Sequence, residues 1–150
     1  MKLFILFLIF QFIFSYQPSD AVKYAIKYGV INNPKYITYD ERENEDVNFV
    51  SQCLFAGGES FSGCRGKDRK GMIFYYNDLL ECLRSKGWEE RKTRDSDFKA
   101  GYPVLLFKDR HPMIAIGFEG DKTLYCGHRN NECYQTKKDE ELIFLYKKKS

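Results

Sequence analysis

The apolar residues of this chain change their spacing once, near Gly87, and that change narrows the folds open to it. Before it they recur three and four apart: Val22, Ala25 and Ile26, then Phe49, Val50, Cys53 and Leu54, then Ile73, Tyr76, Leu79, Leu80 and Leu83. That spacing places each set on one face of a helix. After it they gather in short runs, P-V-L-L-F (103–107), M-I-A-I-G-F (113–118), T-L-Y-C (123–126) and E-L-I-F-L-Y (141–146), whose residues suit strands. Asp109-Arg110, Glu119-Gly120-Asp121 and Arg129-Asn130-Asn131 supply turns of hairpin length,. Helices first and an antiparallel sheet after them is an α+β pattern.

Local signals set the expected limits of each helix. Ser19 or Asp20 caps the first, over A-V-K-Y-A-I-K-Y, and Gly29 stops it,. Asn32-Asn33-Pro34 is turn chemistry, and an acidic loop, 40–45, leads into the second helix,. There Asp46 is the expected cap and Gly57-Gly58 the stop,. The polar, glycine-rich stretch to Gly71 reads as a surface loop, without the Gly-Lys-Ser/Thr spacing of a phosphate cradle,. Met72 to Lys86 is expected to be the longest helix after the N-terminal segment, closed by Gly87, with Trp88 packing back onto it,.

Residues 1–15, M-K-L-F-I-L-F-L-I-F-Q-F-I-F-S, read as a signal peptide: one lysine, an apolar run, and a small residue at which cleavage is expected,. The run is shorter than the roughly 20 residues that span a bilayer, and no second stretch is long enough. Residues 16–150 then form one domain, placed outside the cell or in the lumen of the secretory pathway. Without Lys2 the basic residues fall from 24 to 23 against 21 acidic ones, with the signs interspersed, which points away from nucleic acid. Cys53, Cys64, Cys82, Cys126 and Cys133 allow two bridges and one leftover thiol in about 15 ways. Cys126 with Cys133, and Cys53 with Cys64, are the first pairs to consider, leaving Cys82. No Cys-x-x-Cys or His-x-x-x-His spacing suggests a metal,, and no cofactor is expected.

Two histidines occur, His111 at the entry to the 113–118 run and His128 at the exit of the 123–126 run; a hairpin can bring them to one end of a sheet. The stretch N-F-V-S-Q-C-L-F-A-G-G (48–58), with Y-A-I-K-Y (24–28), N-P-K-Y (33–36), H-P-M-I-A-I-G (111–117) and G-H-R-N-N (127–131), resembles the signature of the putative amidase domain family, a branch of the papain-like group that includes NlpC-type peptidases and amidases. The resemblance implies a papain-like fold, N-terminal helices packed on a C-terminal antiparallel sheet. It also implies cleavage of amide bonds in peptides or cell-wall peptidoglycan. In such a site a cysteine at a helix N-terminus forms a thioester with help from an imidazole oriented by a third polar residue. Carried over position by position, the nucleophile is Asp46, the base His111 and the orienting residue His128. A carboxylate is a poor nucleophile toward an unactivated amide, and its charge repels a developing oxyanion. The resemblance with this change implies an inactive or weak homologue that keeps a ligand groove. The alternatives are a hydrolase that activates water through Asp46 and His111, and a secreted, disulfide-stabilised interaction protein. Taken on its own, Asp46 reads as a helix cap paired with His111, and Cys53, seven residues on, as a core residue.

Overall fold

The computed structural model describes residues 15–128 and 132–148; the segment read as a signal peptide lies outside them up to residue 14, as does the turn 129–131. Among the described residues the α+β expectation holds, with three α-helices followed by a six-stranded antiparallel sheet. Helix α1 is Pro18–Tyr28, α2 Arg42–Ala56 and α3 Tyr76–Ser85. The strands are β1 Trp88–Arg91, β2 Pro103–Leu106, β3 Pro112–Glu119, β4 Lys122–Cys126, β5 Gln135–Lys138 and β6 Leu142–Lys147, in the spatial order β1-β6-β2-β3-β4-β5.

Every helix departs from its expected start, each for a local reason. α1 begins one residue before Ser19, on Pro18, because proline at the first position has its φ set for the helix and lacks only an N–H that would have no partner there. α2 begins at Arg42, with Glu41 as its N-cap. Its first turn is polar and solvated, so no apolar period marks it, while Glu43 and Glu45 suit the positive end of the helix dipole,. Asp46 is consequently the fifth residue of α2, fully buried, and not a cap. The glycine stop is as expected: Gly57 is the C-cap, Gly58 follows at φ +94°, and Glu59 N–H donates to the Leu54 carbonyl at 2.9 Å,. α3 starts at Tyr76, making the 15-residue α2 the longest described helix. Residues 72–75 are held out of the helix. Ile73 pairs with Lys67 in an antiparallel bridge, its carbonyl accepts the Ser51 hydroxyl at 3.0 Å, and Tyr75 is extended.

The hairpins β2–β3 and β3–β4 turn where expected, and β6 inserts between β1 and β2, with Val104 facing Met113 on one side and Phe144 on the other. α1 and α2 lie against β3, and α3 against α2 and β1. Phe49, Leu54, Leu79, Leu83, Ile114 and Phe144 fill the space between helices and sheet, almost wholly out of solvent; burial of each such side chain stabilises by about 1.5–3 kcal/mol. Trp88 opens β1, the strand against which α3 lies, and is buried in the same core as Leu79 and Leu83. Its ring stands edge-on to Tyr16 and Tyr102, and its Nε1–H donates to Glu59, which also binds Lys147.

The cysteine pairing is Cys64–Cys82 and Cys126–Cys133. The second is as expected; the first replaces Cys53–Cys64, and the leftover thiol is Cys53 rather than Cys82. Cys53 lies on the inner face of α2, whereas Cys64, in the surface loop, reaches α3. Among the described residues no helix is long and apolar enough to cross a membrane.

Candidate functional site

Two consecutive carboxylates on α2 each take one histidine from the sheet. Asp46 Oδ2 lies 2.8 Å from His111 Nδ1, and Glu45 Oε1 lies 2.7 Å from His128 Nδ1. His111 immediately precedes β3, fixed by the β2–β3 hairpin, where its carbonyl accepts the Leu106 N–H. His128 follows β4. Its loop is closed by the Cys126–Cys133 disulfide and by a hydrogen bond from Gly127 N–H to the Glu132 carbonyl at 2.8 Å.

The two pairs have different surroundings. In the first, Asp46 is 0% and His111 3% exposed, so the pair is closed from solvent. His111 Nε2 is also buried and has no hydrogen-bond partner among the described residues. In the second, both ring nitrogens of His128 are occupied: Nε2 donates to the Tyr28 carbonyl at 2.5 Å while Nδ1 faces Glu45. The ring lies flat on Phe49, centroids 4.1 Å apart, and Glu45 Oε2 accepts the Tyr39 N–H at 2.7 Å. Of the three residues singled out from sequence, Asp46 and His111 are thus in direct contact. His128 bonds to Glu45 and Tyr28 and not to His111. Glu45 was not singled out; its only sequence signal is that two adjacent carboxylates match two histidines.

Asp46 also lacks the setting that favours a helix-terminal nucleophile. At the fifth position the backbone N–H is committed to the turn before it, and the dipole effect fades beyond the first turn. Cys53 offers no substitute. It is fully buried, and loss of hydration pushes its thiol well above the ordinary value, so the reactive thiolate is suppressed. Among the described residues no group of three or more His, Cys, Asp or Glu side chains could hold a metal ion.

The polar letters of N-F-V-S-Q point inward and form one network. Asn48 Nδ2 donates to Asp68, Gln52 Nε2 donates to Asn48 Oδ1 at 2.6 Å, and the Tyr24 hydroxyl donates to Gln52 Oε1 at 2.6 Å. Asn33 Nδ2 donates to the Tyr24 hydroxyl, and the Tyr39 hydroxyl to Asp68. The first three sequence motifs therefore meet as a clamp joining α1, α2 and the loop before α3. Burial raises the Tyr24 hydroxyl well above its ordinary value of 10, so the native state favours the protonated phenol. The stability this gives is complete below pH 10 and lost as pH rises past it,. Tyr24→Phe is expected to cost about 1 kcal/mol at neutral pH and to flatten that alkaline decline; equal slopes for both proteins in urea melts across the alkaline range would refute it.

A cleft of about 980 Å³ opens elsewhere, beside Tyr16, Glu59, Lys86, Tyr102, Tyr146 and Lys147. Asp46, His111 and His128 are not among its lining residues.

The family model described as a putative amidase domain matches residues 15–100, which include α1 to α3 and Asp46 but end before His111 and His128. An uncharacterized protein of Bacillus subtilis (strain 168), YhbB, is 30% identical over 116 residues, covering 72% of this chain and 34% of its own length. The chain thus spans about a third of that relative. No solved structure matches.

Proposed function

Because the chain belongs to the putative amidase domain family, we propose that it is a secreted, papain-like member that binds an amide-containing ligand, a peptide or cell-wall peptidoglycan, without cutting it. The carrying observation is the contact of Asp46 with His111, 2.8 Å apart and closed from solvent. In this reading Asp46 stands at the nucleophile's position. A carboxylate there, already hydrogen-bonded to the imidazole, offers no thiolate to attack a carbonyl and forms no thioester. It also places negative charge where the reaction would develop an oxyanion. His111 is occupied by Asp46 through Nδ1 and is not available at that nitrogen to take a proton from water. The two disulfides support a place in an oxidising compartment,, and with it the reading of residues 1–15 as a signal peptide.

The test is a pair of assays on the natural protein and on Asp46→Cys, with peptide amides and peptidoglycan fragments. Binding by the natural protein without hydrolysis is the expected result; hydrolysis gained by the cysteine variant alone would show that the missing nucleophile is what stops the reaction. Hydrolysis by the natural protein that disappears in Asp46→Asn and His111→Gln, each shown to remain folded, would replace this reading with an active hydrolase. Absence of binding and of hydrolysis in every form would replace it with a structural or interaction role.

A further inference from the structure

The Asp46–His111 pair is closed from solvent, whereas the cleft of about 980 Å³ opens beyond the other end of α2, where Gly58 and Glu59 line it. Asp46 sits about 15 Å back along the helix from its last residue, Ala56,. The volume falls within the roughly 300–1,000 Å³ of small-ligand sites. One polar group in this cleft is unused by the fold. Tyr102 is only 8% exposed and lines the cleft, yet its hydroxyl has no hydrogen-bond partner among the described residues. The hydroxyls of Tyr16 and Tyr146, which also line it, donate to the Gly101 and Thr93 carbonyls. A buried tyrosine hydroxyl ordinarily has a partner, so the one on Tyr102 is placed to bond a ligand atom. The charge around it is unbalanced: basic lining residues outnumber acidic ones five to three. Lys147 is committed to the buried Glu59 at 2.7 Å, and Lys148 and Arg91 to Glu89. Among the described residues Lys99 has no acidic partner, and Lys86 Nζ donates to the neutral Ser62 carbonyl. Asp97, the remaining acid, has no basic partner among them.

We propose that this cleft, and not the closed pair, is where the chain takes its ligand, and that the ligand is a short peptide bearing carboxylates. Lys86 and Lys99 supply charge for the carboxylates, the Tyr102 hydroxyl donates to a main-chain carbonyl, and Asp97 accepts an N–H. A phosphate offers no N–H to Asp97. Arg91, the forked donor that phosphate favours, is already bonded to Glu89 and Asp95,. The peptide character rests on the reading above; the position and the negative charge rest on the cleft alone.

The experiment titrates the full chain with the tripeptide Glu-Ala-Glu, its uncharged counterpart Gln-Ala-Gln, glucuronic acid and inorganic phosphate. Binding is followed by calorimetry and by the fluorescence of Trp88, the chain's one tryptophan, which stands edge-on to Tyr16 and Tyr102. Saturable binding of the acidic tripeptide, well above that of the other three, is the expected result. Tyr102→Phe is expected to weaken it about fivefold, the size of one hydrogen bond, and to leave the urea melt unchanged, because the hydroxyl has no partner in the free protein. Lys86→Gln with Lys99→Gln is expected to weaken it by more than about tenfold, the size of a hydrogen bond to a charged group. No saturable binding of the acidic tripeptide overturns the proposal, and so does equal or tighter binding of the uncharged peptide, the sugar acid or phosphate. Binding unmoved by the cleft changes but lost in Asp46→Cys also overturns it, while the amide-binding reading stands. Binding weakened by the cleft changes, in a natural protein that hydrolyses amides, gives the reverse: the cleft stands and the reading of a protein that does not cut fails.

Discussion

Asp46→Ala is expected to lower the free energy of unfolding by about 3–5 kcal/mol, the cost of breaking one side of a buried pair. The carboxylate is wholly inside the protein against a histidine 3% exposed. Its removal leaves a second ring nitrogen of His111 without a partner, beside an Nε2 that has none among the described residues. Replacing both residues, as Asp46→Leu with His111→Leu, is expected to recover part of the loss, because apolar side chains impose no such desolvation cost. Urea unfolding followed by fluorescence reads both effects. A loss below about 1 kcal/mol for Asp46→Ala, in the range of an exposed ion pair, would show that the pair does not hold the helix to the sheet. The experiment separates stability from function: loss of folding in Asp46→Ala would itself abolish binding, so binding assays belong with Asp46→Cys.

The second large effect concerns the bridge between the glycine-rich loop and α3. Cys64 and Cys82 are 18 residues apart, and opening a loop of that size removes about 3 kcal/mol through the freedom gained by the unfolded chain. Cys64→Ser with Cys82→Ser is therefore expected to lower the thermal midpoint by more than 5 °C, about the shift this loss gives in a domain of this size. The same pairing predicts one free thiol per chain, Cys53, which reacts with a disulfide reagent only after unfolding because it is fully buried. A thiol that reacts in the native protein, or a midpoint unchanged in the double variant, would contradict the pairing.

Much of the architecture was legible along the chain, and the errors share a cause. Runs of period three and four marked α1, the body of α2 and α3, and the apolar runs after Gly87 marked β2, β3, β4 and β6, because those residues face the core. The edge strands β1 and β5 were not legible. Apart from the buried Trp88, W-E-E-R and Q-T-K-K are largely solvated, so their strand state comes from hydrogen bonds to β6 and β4 rather than from an alternating buried face. The first turn of α2 was hidden for the same reason. Missing it made Asp46 look like a cap, when it is a core residue one turn further in. The Cys53–Cys64 expectation ran against the apolar spacing that already placed Cys53 on the core face of α2; Cys53 is fully buried, and Cys64 pairs with Cys82 on α3.

The sequence by itself determined the α+β order, the motifs of the family, and Asp46 with His111 as a candidate pair. That Glu45 takes His128 was decided only by the tertiary structure, since the two are 83 residues apart and neither was legible as the other's partner. The docking of α2 on the sheet sets both contacts at once. It is also the packing that closes Asp46 and His111 from solvent, because burial is a property of the assembled layers, not of any one segment.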